Sequence, residues 1–174
     1  MIAINGSTMP YYEHFKAEAK YVAELGSAAT EDELKGLYRW ILCEWFPLSK
    51  GYIVDFQVLN GARKPGRKSF FVRRTGAYRG PHLIVELKRS AKWDDAGKQE
   101  VLEGLTKSIQ AQFEKTPYNT IYGLGSIGLH WTVCKMEKDG LPVPTTVLDW
   151  HDDISSDLSH DAFRAVADLV YNIH

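Results

Sequence analysis

The chain has little cysteine and no long apolar run. Its 174 residues include only two cysteines, Cys43 and Cys134, and no CxxC pair, which argues against a structural zinc site. No apolar stretch approaches the roughly 18 residues that a membrane-spanning helix needs, and the amino terminus lacks the basic and apolar regions of a signal peptide. These absences predict an intracellular location, the nucleus included, no membrane partner, and reduced thiols buried in the core.

The overall composition is that of one ordinary globular domain. Apolar residues make up 44% of the chain and charged residues 25%, which is typical of a folded protein. A chain of this length can bury a sizeable core, and no internal repeat or low-complexity tract interrupts it. We therefore expect a single domain over residues 1–174.

Acidic residues are missing from a long central stretch. Between Asp55 and Glu86 there is no other acid, and residues 60–92 carry a charge of +9 while the whole chain carries −1. A bias of this size favours binding to the polyanionic backbone of a nucleic acid, with a solvated basic loop as the alternative. The residues expected to contact phosphate are Arg63, Lys64, Arg67, Lys68, Arg73 and Arg74.

Two segments alternate apolar and polar residues, as half-buried strands do. In residues 82–89 the alternation puts Glu86 and Lys88 on one polar face, and in residues 51–59 it puts Asp55 on another. A carboxylate and an ammonium two residues apart can form a surface ion pair of little energetic value. They can also be half of a metal site, for which Asp55 is the natural second carboxylate.

Helical spacing of apolar residues recurs along the rest of the chain. The second predicted helix starts with the capping-box pattern Thr30-x-x-Glu33 and ends before Pro47. In the third, Gln112 lies near the middle of the apolar stripe, whereas Gln110 lies well away from it. The four predicted helices cover about residues 10–25, 30–46 and 98–113 and the carboxyl-terminal segment around residue 163.

A glycine-rich segment follows the third predicted helix. The spacing Gly123-x-Gly125-x-x-Gly128 matches a dinucleotide-binding fingerprint, but that fingerprint must open a helix. The residues that follow Gly128 are instead rich in strand formers. The pattern therefore predicts a hairpin, with two strands joined by a glycine turn.

The order Asp55…Glu86-Leu87-Lys88 resembles the PD-(D/E)xK nuclease-like superfamily. A second match, Tyr122-Gly123…Gly128…Trp131, is similar to a strand that follows the helix after the ExK strand in that superfamily. The resemblance covers roughly residues 30–135. It looks most like the nuclease-like domains common in fungal genomes, and Crinkler-type effectors carry similar modules.

This resemblance implies an α/β fold with a restriction-endonuclease-like αβββαβ core. A mixed central sheet would be flanked by helices, with two helices at the amino terminus and one at the carboxyl terminus. It also implies a metal-dependent nuclease that uses Mg²⁺ or Mn²⁺, hard cations that prefer oxygen ligands.

The site implied by the resemblance consists of five positions. Asp55, Glu86 and the Leu87 carbonyl would hold the metal, Lys88 would orient the attacking water, and Gln112 would reach the site from the helix. Glu33 or Glu44 would be a further acid. The substrate expected first is DNA rather than RNA. The alternative is a catalytically inactive module of the same fold that binds nucleic acid or a protein partner, as an effector domain would.

Overall fold

The structure is a computed structural model that describes residues 13–61, 64–76 and 80–173, without the side chains of residues 57–61 and 64–68. Ten main helices and strands are defined in this part of the chain. In order they are α1 (Glu13–Leu25), α2 (Glu31–Trp45), β1 (Tyr52–Gly61), β2 (Lys64–Arg74), β3 (Leu83–Lys88), α3 (Asp95–Phe113), β4 (Thr120–Ile127), β5 (His130–Glu137), β6 (Thr145–His151) and α4 (Asp157–Tyr171).

The six strands form one mixed sheet in the order β1-β2-β3-β4-β5-β6. Four of the five neighbouring pairs are antiparallel, and β3 and β4 are parallel. Parallel neighbours require a crossover connection, and α3 supplies it. The predicted α/β fold, with a mixed central sheet flanked by helices, is confirmed. The element order from α2 to β4 is helix, three strands, helix and strand, as predicted.

Each face of the sheet has its own apolar core. On one face, Leu83, Val85 and Leu87 of β3 pack with the apolar sides of α1, α2 and α4. On the other face, Ile84 packs with Val101 and the rest of the apolar stripe of α3. The face of β3 that carries Glu86 is therefore covered by a helix and is not a solvent face.

Two glycines of β4 allow α3 to lie close to the sheet. A β-carbon at Gly123 would come within 3.2 Å of side-chain atoms of Leu105 and Ile109, and one at Gly125 would overlap with Val101. The third glycine of the motif, Gly128, has a φ of +62° in the turn between β4 and β5, a conformation that favours glycine. The predicted hairpin is confirmed.

Lys64, Arg67 and Lys68 lie in a strand, although the nearby glycines and proline favour a turn-rich loop. Strand β1 continues to Gly61, which pairs with Lys64 at the start of β2, with a register shift between Leu59 and Gly61. The proline in this segment, Pro65, precedes Ser69, the first residue of β2 that pairs with β3. Its missing N–H therefore costs no hydrogen bond to β3. Lys64, Arg67 and Lys68 therefore lie where the β1–β2 pair extends past β3.

The two cysteines differ in burial. Cys134 is buried in β5, as predicted, but Cys43 is exposed on α2. The prediction of a core position is thus wrong for Cys43, because the apolar stripe of α2 faces the sheet through Leu34, Leu37 and Ile41 instead. Among the described residues, no helix combines the length and apolar character needed to cross a membrane.

Candidate functional site

Glu86 lies between β3 and α3, beneath the helix. Its side chain is only 2% exposed, and it is the one Asp, Glu, Lys or Arg in the buried set of the described residues. Its carboxylate oxygens lie directly against Gly104, where a β-carbon would overlap with them. A mid-helix glycine destabilises a helix by about 1 kcal/mol relative to alanine. Here it makes room for the carboxylate.

On the neighbouring strand β2, the residue that pairs with Glu86 is Ser69. Its side chain is fully buried, and its hydroxyl has no hydrogen-bond partner among the described residues. The strand next to Glu86 thus contributes a hydroxyl at this position and not a second carboxylate.

Lys88 forms an ion pair with α3. Its ammonium lies 2.8 Å from Glu100 Oε1, and the side chains are 17% and 46% exposed. Glu100 precedes Gly104 by one helical turn, so Lys88 and Glu86 contact adjacent turns of the same helix. The next residue back along β3, Leu87, pairs with Ser126 of β4 and buries its side chain on the other face.

Asp55 lies on the same face of the sheet as Glu86 but is not brought beside it. Asp55 pairs with Phe71, and Phe71 pairs with Ile84. Glu86 is two strands across from Asp55 and two residues further along. At ordinary strand spacings, the two backbones are roughly 12 Å apart.

The partner of Asp55 is Arg73 on the neighbouring strand. The Nε atom of Arg73 donates a hydrogen bond to Asp55 Oδ2 over 2.5 Å, and both side chains are partly buried. Arg73 pairs with Ile53, on the side of Asp55 away from Glu86. The ion pair therefore draws the Asp55 carboxylate away from Glu86.

These positions do not fit a hard cation shared by Asp55 and Glu86. Such an ion needs oxygen ligands at about 2.0–2.6 Å, whereas one carboxylate is bound to Arg73 and the other lies against Gly104 under α3. Over the described ranges, no three His, Cys, Asp or Glu residues form a group that could hold a metal.

Gln112 faces the sheet, and Gln110 does not. Gln112 is 6% exposed, and its Oε1 has no hydrogen-bond partner in the described part of the chain. Gln110 is exposed and donates a hydrogen bond to the Pro142 carbonyl. The predicted orientation of Gln112 is correct. It lies eight residues beyond Gly104, however, which is about 12 Å along the helix from Glu86.

The two candidate acids of α2 lie on the other side of the sheet. Glu33 accepts a hydrogen bond from the backbone N–H of Thr30 over 2.6 Å and completes the predicted capping box. Glu44 is exposed near the end of the helix. Because α2 packs on the face opposite to Glu86, neither acid reaches it.

The predicted phosphate-binding residues fall into two groups. Arg73 and Arg74 lie at the carboxyl-terminal end of β2, where Arg73 binds Asp55 and Arg74 donates to the Tyr171 carbonyl at 3.1 Å. Of the other group, Arg63 lies outside the described residues. Lys64, Arg67 and Lys68 lie at the opposite end of β2 and are described by their backbone alone.

Two exposed cations follow β3 at the same end of the sheet as Lys64, Arg67 and Lys68. Arg89 and Lys92 are exposed, and neither forms an ion pair with another described residue. Both belong to the basic segment of residues 60–92. Its composition alone does not distinguish these two residues from the other basic residues of the segment. Beside them, Trp93 stacks on His130 with ring centroids 3.7 Å apart, and burial lowers the pKa of His130.

Sequence reasoning also missed Ser69 and Gly104. The alternation in residues 69–74 could have put Ser69 on the face of Asp55 and Glu86, once the strand pairing was known. A glycine inside the helical pattern around position 104 was a visible signal of a close contact.

Comparisons with protein-family models, curated proteins and solved structures find no match for this chain, so the PD-(D/E)xK resemblance remains a prediction from the sequence motif.

Proposed function

We propose that this chain is a nucleic-acid-binding module of the PD-(D/E)xK nuclease-like type, and that it binds phosphate through the basic end of its β1–β2 hairpin. The observation that supports this most is the charge at one end of the sheet. The β1–β2 pair continues past Ser69, which pairs with Glu86 and is the first residue of β2 to pair with β3. Arg89 and Lys92 follow β3 at that same end. No acid interrupts the chain from residue 56 to residue 85.

The proposed surface excludes two of the arginines predicted from sequence. The guanidinium groups of Arg73 and Arg74 have intramolecular partners, and their strand positions lie roughly 25 Å from that of Arg89. Lys88 is also paired, with Glu100. The phosphate contacts are assigned to Arg63, Lys64, Arg67, Lys68, Arg89 and Lys92.

Binding is favoured over hydrolysis because of the separation between Asp55 and Glu86. Hydrolysis with a shared metal would require Asp55 to leave Arg73 and approach a carboxylate that lies about 12 Å away in backbone position. Phosphate binding requires no such rearrangement. It needs only exposed cations, which neutralise the backbone without reading base sequence.

The test is a fluorescence-anisotropy titration of DNA and RNA oligonucleotides at several salt concentrations. Counterion release predicts an affinity that falls steeply with salt. Replacing Arg89 and Lys92 with alanine should reduce the log–log slope by up to about 0.9 for each phosphate that the variant no longer neutralises. The matched control replaces Lys107 and Lys115, exposed lysines of α3 and the turn after it, and should leave the slope unchanged. No binding of either nucleic acid by the wild type would refute the proposal.

A further inference from the structure

Strand β6 forms one edge of the sheet. It pairs with β5 on one side, and no other described strand pairs with its outer side. The strand contains no proline, and none of its seven residues, Thr145–His151, is fully buried. Along such an edge, backbone N–H and C=O groups point away from the sheet, where another strand can pair with them. The outer side of β6 therefore offers the hydrogen bonds that one more strand would use.

An apolar groove lies beside the start of this edge. It has a volume of about 410 Å³ and is lined by α3, including Leu102, and by Val143 and Pro144 just before β6. Gln110 of α3 donates a hydrogen bond to the Pro142 carbonyl over 3.2 Å, which joins the two walls. The Val143 side chain is 58% exposed. The volume is that of a site for a small ligand or a few side chains.

The chain around this edge is acidic. Between Lys138 and Arg164 there are six aspartates and no lysine or arginine. Asp149 in β6 and Asp152 just after it are exposed. Such a charge repels the phosphates of a nucleic acid and attracts lysine and arginine. A second copy of β6 on this edge would bring the aspartates of both copies together, so the charge favours a basic partner over self-association.

We infer that the outer edge of β6 binds an extended basic segment of another protein, which adds a seventh strand to the sheet. The backbone hydrogen bonds of the added strand supply affinity, and its alternate side chains supply specificity. An apolar side chain enters the groove beside Val143, and lysine or arginine faces Asp149 and Asp152. The inference goes beyond the proposed nucleic-acid binding, because it concerns another surface and another class of partner.

The probe is a fluorescein-labelled nonapeptide in which valine and lysine alternate, titrated with the full chain and followed by fluorescence anisotropy. A control peptide with glutamate in place of lysine should bind at least about tenfold more weakly. N-methylation of every valine, or of every lysine, removes the N–H donors along one edge of the peptide strand. One of these two patterns should abolish binding, and the other should leave the affinity within about twofold, because only one edge of the peptide faces β6.

Two exposed acids of β6 and its end are tested together. Asp149→Asn with Asp152→Asn should weaken binding of the lysine peptide about fivefold, the scale of two exposed ion pairs. The matched control, Glu13→Gln with Glu18→Gln, removes two exposed acids of α1 on the other face of the sheet. It should leave the affinity unchanged.

Three results would overturn the site on β6. They are a lysine peptide that does not bind, an equal effect of the two methylation patterns, and an unchanged affinity in the aspartate variant. Sedimentation at several protein concentrations tests the other occupant of this edge, and a monomer is expected. A dimer that Val143→Ser dissociates would show that a second copy covers the edge instead.

Discussion

Gly104 of α3 lies directly against the carboxylate of Glu86 on β3. No other side chain could occupy position 104 without displacing Glu86, because even a β-carbon there would overlap with both carboxylate oxygens. This contact sets how closely the helix approaches the sheet near the end of β3 that precedes Arg89. The buried acid and the helix glycine are therefore a coupled pair.

We predict that Gly104→Ala destabilises the protein by about 1–3 kcal/mol, the usual range for overpacking a core. The matched control is Gly36→Ala in α2, where a β-carbon would meet nothing within 4 Å. That change should be neutral or stabilise by up to about 1 kcal/mol, since alanine is the better helix former. Denaturant unfolding measures both.

Shortening Glu86 tests the cause of that effect. In the double variant Gly104→Ala with Glu86→Ala, the overlap is removed, so the two substitutions should be non-additive by more than about 0.5 kcal/mol. Simple additivity would mean that the two residues are not coupled.

The ion pair between Asp55 and Arg73 leads to a prediction about metal. Because Asp55 is bound to Arg73 and not to Glu86, Mg²⁺ or Mn²⁺ should leave the melting temperature unchanged, and Asp55→Ala should respond in the same way. A ligand that binds only the native state would raise the melting temperature by mass action. A metal-dependent rise in the melting temperature that Asp55→Ala abolishes would instead support a metal site shared by Asp55 and Glu86.

Buried His82 predicts that stability depends on pH. Burial first, and then the nearby Arg74 charge, lower the pKa of His82 from 6.5 to about 4. Its ring packs edge-on to Tyr118, with centroids 4.1 Å apart. Between pH 6.5 and 4 the unfolded chain binds this proton and the native chain does not. The free energy of unfolding should therefore fall as the pH drops through that window, by up to about 1.4 kcal/mol per pH unit.

The variant His82→Gln tests this contribution because it cannot titrate. Its stability should depend less on pH between 6.5 and 4 than that of the wild type. His130, whose pKa is also lowered, contributes in the same direction and remains in both proteins. An unchanged pH dependence in His82→Gln would contradict the contribution assigned to His82.

The sequence predicts the elements of this fold better than it predicts their contacts. Alternation of apolar residues predicts β3 and the common face of Glu86 and Lys88, because that pattern is local. It could not show that α3 covers this face, since the covering helix follows β3 through a crossover. The neighbour of Asp55 depends on the register of β1 against β2. That register puts Arg73, not Glu86, within its reach.

In the basic hairpin, residues that favour turns also fail to predict the structure. Glycine and proline in residues 61–66 favour a loop, yet β1 and β2 pair as far as Gly61 and Lys64. Strand pairing overrides the local preference there. The charge of the segment is a property of composition, and it could be assigned to one end of the sheet only after the pairing of β2 with β3 was known.

The most direct test of the account is the salt dependence of nucleic-acid binding in a hairpin variant. Replacing Arg63, Lys64, Arg67 and Lys68 with alanine should flatten the log–log salt slope by up to about 0.9 for each phosphate left without its cation. The control removes four exposed lysines elsewhere, Lys20, Lys107, Lys115 and Lys138, and changes the net charge equally. The account predicts a flattened slope in the hairpin variant alone. An equal slope in wild type and hairpin variant, or equal flattening in both variants, would contradict it.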